Sequence, residues 1–380
     1  MSDSADPRAQ LDRAMLDRAA RAALRAAGDA EPNPLVGCVL ADASGRVIGM
    51  GHHKRCGGAH AEVEALADAA RRGEDPRGCT AWVTLEPCRG VGRTGPCADA
   101  LLRAGVVEVV YASDDPAPKG LGGADALRAG GCAARRSDAS PLATSLARPH
   151  LKRTLRGLPW VIAKWAQTPD GRFVADEGRW ISCPASLRRV HRLRARVDMV
   201  IVGVGTVLAD DPLLTARGVA RVRRVARRVV FDTQLRTPIT SALVGSIDAA
   251  PLTIVAGASA ATRNPDRARA LHAAGAELIE APLDSAGRVD AGEALALLST
   301  RHNPATVLLE AGPTLLNEFL RRRLVDEAWA FIGGDPAAQT SLADSHGYTR
   351  CMSRRSGVDA LLIYGAAPAG AGVGSGASSP

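Results

Sequence analysis

Short runs of valine, leucine and isoleucine alternate with helical stretches over most of the chain, and that alternation confines the fold to a layered α/β architecture. Residues 11–27, LDRAMLDRAARAALRAA, carry apolar positions at helical spacing. Leu35–Leu40 and Val47–Met50 flank Ser44-Gly45 and read as a β-hairpin. A helix over 60–73, a strand over 80–87, a helix over 98–105 and a strand over 106–113 follow. A second series places strands near Trp160–Trp165, Met199–Val204, Val229–Asp232, Thr253–Ala256, Glu277–Ile279, Thr306–Glu310 and Glu327–Ile332. It includes a helix at Pro313–Arg323 and ends in a strand at 358–364. At 380 residues the chain exceeds one ordinary core, so two series predict two domains. Only 3% of residues are aromatic, which leaves Val, Leu, Ile and Ala to fill the cores. The segment 137–149, SDASPLATSLARP, has no strong period and reads as the linker. The expected division is therefore 1–146, 147–366, and a disordered Gly/Ala/Ser/Pro-rich tail over 367–380.

Composition narrows the function classes. No run of about 18 apolar residues occurs, so no membrane span is expected. The polar start MSDSADPRAQ lacks an apolar signal core, which predicts a cytoplasmic protein. There the 8 scattered cysteines read as thiols or metal ligands rather than disulfides. The net charge of +8 comes mostly from arginine, as in RVRRVARR (221–228) and LRRVHRLRAR (187–196). Arginine suits phosphate, so nucleic acid and a phosphorylated metabolite both stay open, beside an ordinary solvated surface.

The stretch LEPCRGVGRTGPC (85–97) holds Cys88 and Cys97, each directly after a proline. Alone, such a pair is a weak zinc signal. His60-Ala61-Glu62 lies upstream at the expected start of a helix. Hydrolytic zinc sites need three protein ligands and one open position, and His60, Cys88 and Cys97 supply three. Glu62 is then a carboxylate free to move protons, as in the zinc deaminases. The alternative is a closed structural site completed by His52, His53 or Cys56, which leaves Glu62 without a role.

The wide cysteine spacing, with PNPLVGCV (32–39), GHHKRCGGAHAEVEAL (51–66) and VTLEPC (83–88), resembles the bifunctional riboflavin-pathway deaminase/reductase family, RibD. The resemblance runs over roughly 11–364. It implies a cytidine-deaminase-like α/β/α layered domain followed by a dihydrofolate-reductase-like α/β domain. It assigns zinc to His60, Cys88 and Cys97, proton transfer to Glu62, and the pyrimidine to Asn33 and His53. In the second half AKWAQTPDGR (163–172), GRWIS (178–182), VHRLRARVDMVIVGVGTVLADDPLLTAR (190–217) and LLEAGPTLLNEFL (308–320) resemble the family's reductase. By family position Trp180, Thr206, Asp210, Gly312, Pro313 and Thr314 would touch NADPH. Lys164, Arg194, Leu214, Arg217 and Glu310 would hold the ribosyl phosphate. Asp170 would supply the proton opposite the hydride. The implied activity is hydrolytic deamination of a diaminopyrimidinone ribosyl phosphate, then reduction of its ribose to ribitol phosphate. The implied partner is that small phosphorylated pyrimidine, with neither membrane nor nucleic acid, and a homo-oligomer is expected.

The chain departs from the family at three places. Arg89-Gly90 stand where the family has Ser-His. This predicts a working but weakened deaminase, with Arg89 or His52 as substitutes. Ala147 and His150 replace an Asn and a Phe of the segment between the domains. FIGGDPAAQTSLADS (331–345) lacks the family's Ala-Pro-Lys. Two other classes stay in view: an RNA-binding zinc deaminase, and a homologue with one domain catalytically impaired.

Overall fold

The computed structural model describes residues 6–90, 95–118, 120–173, 181–334 and 341–366. The expected tail and Trp180 lie outside these residues. The chain divides into two compact units, Met1–Pro159 with Asn303–Ala305, and Trp160–His302 with Thr306–Pro380.

The first unit is built on β1 (Gly37–Ala41), β2 (Val47–His52), β3 (Thr80–Val83), β4 (Glu108–Tyr111) and β5 (Ala133–Arg136), in the order β2-β1-β3-β4-β5. β2 and β3 run antiparallel to β1, and β4 and β5 continue parallel to β3. The two-residue period of the strands sorts the core. Cys38, Leu40, Ala81, Val83 and Val109 pack with Ala61, Ala65, Ala69, Leu101 and Leu127 on one face. Val39, Ala41, Trp82 and Val110 meet Met15, Leu16, Ala19 and Ala143 on the other. The result is a three-layer α/β/α sandwich.

Glycine decides how closely one helix approaches. A Cβ at Gly51 would stand 2.3 Å from the Ala65 nitrogen, and one at Gly49 would stand 2.5 Å from the Ala65 carbonyl oxygen. Only bare backbone on β2 lets the helix Ala61–Arg71 press down with Ala61, Ala65 and Ala69 buried.

The segment expected to be a linker is instead a helix, Pro141–Arg156. Ser140 caps it by accepting from the Ala143 N–H at 3.0 Å, Pro141 occupies the first turn, and Gly157 closes it at φ 65. Leu142, Ala143, Leu146 and Ala147 recur at helical spacing, and Ala143 and Ala147 are buried. Small residues hid this face from a reading based on bulky apolar positions. The expected boundary after residue 146 falls inside this helix, and the two units divide after Pro159.

The second unit carries β6 (Trp160–Gln167), β7 (Met199–Gly203), β8 (Arg227–Phe231), β9 (Leu252–Gly257), β10 (Glu277–Ala281), β11 (Thr306–Leu309), β12 (Glu327–Ile332), β13 (Thr349–Ser356) and β14 (Asp359–Gly365). Their order is β10-β9-β8-β7-β11-β6-β12-β14-β13. All pairs from β10 to β12 are parallel, and β14 and β13 add an antiparallel edge. Helices cover both faces, with Val161, Ile201, Val229 and Leu309 in one core and Ile162, Val200, Val230 and Leu308 in the other. β13 was not foreseen. Its sequence, TRCMSRRS, is polar and exposed along seven of eight positions, as a charged edge strand is.

The arginine-rich stretches do not form one basic face. Arg228 is fully buried and donates to the Ser246 hydroxyl at 2.7 Å and to the Ser246 and Ala250 carbonyls. Arg224 pairs with Asp198, Arg227 with Glu277, and Arg194 with Glu310. Arg194, Arg224 and Arg227 are matched by carboxylates inside their own unit and Arg228 is buried, so these four offer little free charge to nucleic acid. Among the described residues, no helix is long and apolar enough to cross a membrane.

Candidate functional site

His60 stands at the N-cap of the helix Ala61–Arg71 with extended backbone, and its ring makes no capping bond. Cys88 follows β3 on a loop, and Cys97 opens the helix Cys97–Arg103. The Ala98 N–H donates to the Cys88 carbonyl at 3.2 Å and ties the two ends of that loop together. His60 Nδ1 lies 3.2 Å from Cys97 Sγ and 3.5 Å from Cys88 Sγ. All three donor atoms fall within 4.8 Å of one another. Two sulfurs and an imidazole are the donor set zinc prefers, and bonds of about 2.0–2.3 Å fit a triangle of this size. The Cys97 thiol hydrogen-bonds to Cys88 and holds the Cys88 thiol far below its usual range, while Cys97 is itself pushed up. The lowered Cys88 pKa favours a thiolate, the form that binds a metal ion. His52, His53 and Cys56 do not join the cluster, so among the described residues it has three ligands, as an open hydrolytic site does.

Glu62 sits in the first turn of the same helix, 3% exposed. Burial pushes its carboxyl up to about 7. A carboxyl in that range can both take and give a proton at neutral pH.

These groups open on a cavity of about 210 Å³, lined also by Asn33, His53, Gly90, Asp115 and His150. His53 Nδ1 lies 2.9 Å from the Ala59 carbonyl, which only accepts, so Nδ1 carries the proton. Its Nε2 then accepts from Asn33 Nδ2 at 3.1 Å. Burial lowers the His53 pKa and favours this neutral form. The pair fixes the Asn33 amide, whose Oδ1 has no partner among the described residues. The structure therefore brings together Asn33, His53, His60, Glu62, Cys88 and Cys97. His52 is not on the cavity wall, and Arg89 is exposed. Sequence reasoning missed Asp115 as a wall residue and gave His150 no part in this site. The signal for His150 was its place three residues after Ala147 on the buried face of the unforeseen helix.

Close packing holds the first cysteine. A Cβ at Gly123 would stand 1.7 Å from the Pro87 carbonyl oxygen. Gly123→Ala is expected to displace Pro87-Cys88 and to lower deamination kcat/KM about tenfold, equivalent to about 1.4 kcal/mol. Zinc content measured alongside should fall too, and unchanged kinetics would show that the loop absorbs the methyl group.

In the second unit the expected residues gather at the carboxyl ends of neighbouring strands. β7 runs through Gly203 into the helix Val204–Asp210, and β11 runs through Glu310 and Gly312 into the helix Pro313–Arg321. β7 and β11 are adjacent, so both helix N-termini lie at one end of the sheet, an arrangement that favours phosphate. A Cβ at Gly312 would stand 3.9 Å from Thr206 Oγ1, so these two residues face each other. Pro313, Thr314 and Asp210 are partly or fully exposed beside them. Arg194 donates to both Glu310 oxygens at 2.6 and 2.8 Å, with side chains 13% and 9% exposed. Burial lowers the Lys164 pKa, with the Glu310 charge opposing it.

Three residues stand differently from their expected roles. Leu214 is buried in the core, 2% exposed, with φ 56. Arg217 is exposed, and its backbone N–H donates to His191 Nδ1 at 3.2 Å. Asp170 lies on the exposed turn after β6, where the Thr168 hydroxyl and Arg172 hold its carboxyl below the usual range. A carboxyl held below its usual range is ionised at neutral pH and carries no proton to donate.

The two units thus define a protein with a zinc-deaminase half and a reductase half. Residues 9–113 match the cytidine and deoxycytidylate deaminase zinc-binding region, and 159–334 match the RibD C-terminal domain. The chain is 32% identical to the riboflavin biosynthesis protein RibD of Aquifex aeolicus, over 85% of this chain and 87% of the relative. It is 34% identical to that of Escherichia coli K12, over 84% and 87%. A solved RibD of Acinetobacter baumannii superposes with a TM-score of 0.74 at 29% identity, covering 94% of this chain and 99% of that one. A diaminohydroxyphosphoribosylaminopyrimidine deaminase/5-amino-6-(5-phosphoribosylamino)uracil reductase from Thermotoga maritima superposes at 0.76 with 26% identity, covering 95% and 100%. The chain belongs to the RibD family, bifunctional deaminase/reductase enzymes of riboflavin biosynthesis. The RNA-binding alternative finds no support among these relatives.

Proposed function

We propose that the first unit hydrolytically deaminates a diaminopyrimidinone ribosyl phosphate and that the second reduces the ribose of the product to ribitol phosphate with NADPH. The observation that carries the reading is the His60–Cys88–Cys97 triangle beside buried Glu62 on one cavity. A zinc ion held by the triangle would supply the Lewis acidity that makes water nucleophilic at neutral pH. Glu62 would take a proton from the attacking water and return it to the leaving amine. Asn33, set by His53, orients the pyrimidine edge. In the second unit NADPH would supply the hydride. Thr206, Gly312, Pro313 and Thr314 line the end of the sheet where its phosphates would lie, with Asp210 and Trp180 as further cofactor contacts. Lys164, Glu310 and Arg194 fix the ribose side. Because Arg194 is already matched by Glu310, the substrate phosphate falls chiefly to Arg217. The Asp170 proton role needs a substrate-bound form in which its Arg172 contact is broken. We place this chemistry in the cytoplasm, where the thiol ligands stay reduced.

The purified protein should hold about one zinc ion per chain, bound by two thiolates and one imidazole. Incubated with the diaminopyrimidinone, it should release ammonia without NADPH and form the ribitol product only with it. A fully zinc-loaded protein that releases no ammonia would leave the first unit as a scaffold for the reductase.

A further inference from the structure

We propose that His150 is a positioning residue of the deaminase pocket, holding the Asp115 carboxylate so that its Oδ2 accepts an N–H or O–H of the bound ligand. The inference rests on the deaminase reading above. His150 projects from the helix Pro141–Arg156, one helical step beyond buried Ala147, and reaches the cavity that also exposes Glu62 and Cys88. The side chains of His150 and Asp115 are 9% and 11% exposed, so this is a nearly dry contact.

Hydrogen-bond accounting fixes the arrangement. His150 Nε2 lies 2.9 Å from Asp115 Oδ1, and an ionised carboxylate only accepts, so Nε2 donates. The same Oδ1 accepts the Ala117 N–H at 3.0 Å. Oδ2 has no hydrogen-bond partner among the described residues. Glycine at 120 leaves it room, since a Cβ there would stand 2.1 Å from Oδ2. One oxygen is therefore held from two sides, and the other is left on the cavity wall. A carboxylate oxygen in that position selects a ligand edge carrying amino or hydroxyl hydrogens and repels phosphate. Gly90, on the same cavity, offers no side-chain group to do this.

A role in packing alone does not account for an imidazole here. His150 Nδ1 is buried without a partner among the described residues, which an apolar ring would avoid. The polar ring is explained by what its other nitrogen holds.

The test uses the full-length, zinc-loaded protein and follows deamination, with reduction of the deaminated intermediate as an internal measure of folding. His150→Phe keeps a ring but removes the donor, and should raise the deamination KM about tenfold with kcat within about threefold. His150→Gln retains an N–H of similar reach and should recover most of that loss. Asp115→Asn should match His150→Phe, and the double variant should be no worse than either single one. An unchanged KM in His150→Phe, a Gln variant as poor as Phe, or fully additive effects would overturn the inference while leaving the deaminase intact. Should His150→Phe fail to fold, His150→Gln and Asp115→Asn decide the matter by the same split of KM from kcat. A zinc-loaded wild type that does not deaminate would overturn the underlying reading, and this inference with it.

Discussion

Glu62→Gln is expected to lower the deamination kcat about a thousandfold while zinc content and reductase activity stay at wild-type levels, since positioned proton transfer typically contributes about 10²–10⁴. Size and shape are conserved, so the buried first turn should not shift. What disappears is a group able to bind and release a proton near neutrality, where burial has set Glu62. The three ligand side chains are untouched, so metal analysis separates loss of the base from loss of the ion. Reduction of the pre-deaminated intermediate reports on the other unit in the same sample. Deamination at the wild-type rate would show that another group moves the proton. Loss of zinc with activity would show that Glu62 is a ligand after all.

Asp12→Ala should destabilise the first unit by about 2–3 kcal/mol, read as a lowered first transition in calorimetry, because breaking a buried pair strands its partners. Asp12 is 2% exposed. It accepts the Trp82 Nε1–H at 2.9 Å and both Arg135 donors at 2.6 and 2.9 Å. The Arg135 side chain is 31% exposed, so water can partly replace what it loses, and the expected effect sits below that of a fully buried pair. Trp82 is 4% exposed and has no such recourse. Burial works to raise the Asp12 pKa, but the contacts from Arg135 and Trp82 outweigh it, and the carboxyl lies below its usual value. A depressed carboxyl stabilises above the unfolded value, near pH 3.9, and the stabilisation fades as pH falls through the folded value. The gap between wild type and variant should therefore be full at neutral pH and close below about pH 4. A gap that stays constant into acid would point to packing rather than charge.

Legibility in the sequence followed the size of the side chains. Runs such as MVIVG in β7 and TVLL in β11 announce buried parallel strands because they are densely β-branched or leucine-rich. The His60–Cys88–Cys97 triangle was readable because one histidine and two cysteines, both rare residue types here, occur with a glutamate two positions after the histidine. The helix Pro141–Arg156 was not, since alanines carry its buried face and Pro149 interrupts it. With that helix went the role of His150, whose cavity is made only when distant segments meet. Arg194 and Glu310, 116 positions apart, were each given a substrate role only by the family resemblance. Their mutual pairing, on which the proposed assignment of the phosphate to Arg217 rests, is a fact of packing that no local pattern carries.

The bare backbone of Gly49 and Gly51 under Ala61 and Ala65 has a consequence for how such an enzyme can diversify. It anchors one wall of the pocket, since His60 and Glu62, the proposed metal ligand and proton carrier, ride on a helix that cannot slide without colliding with β2. New substrate preferences therefore have to be written on the opposite wall, in the residues around Gly90, Asp115, Gly120 and His150. A mutant library confined to those positions should yield variants of altered selectivity that still hold zinc. One drawn from positions 49, 51, 61 and 65 should yield chiefly proteins that have lost the metal and the fold together.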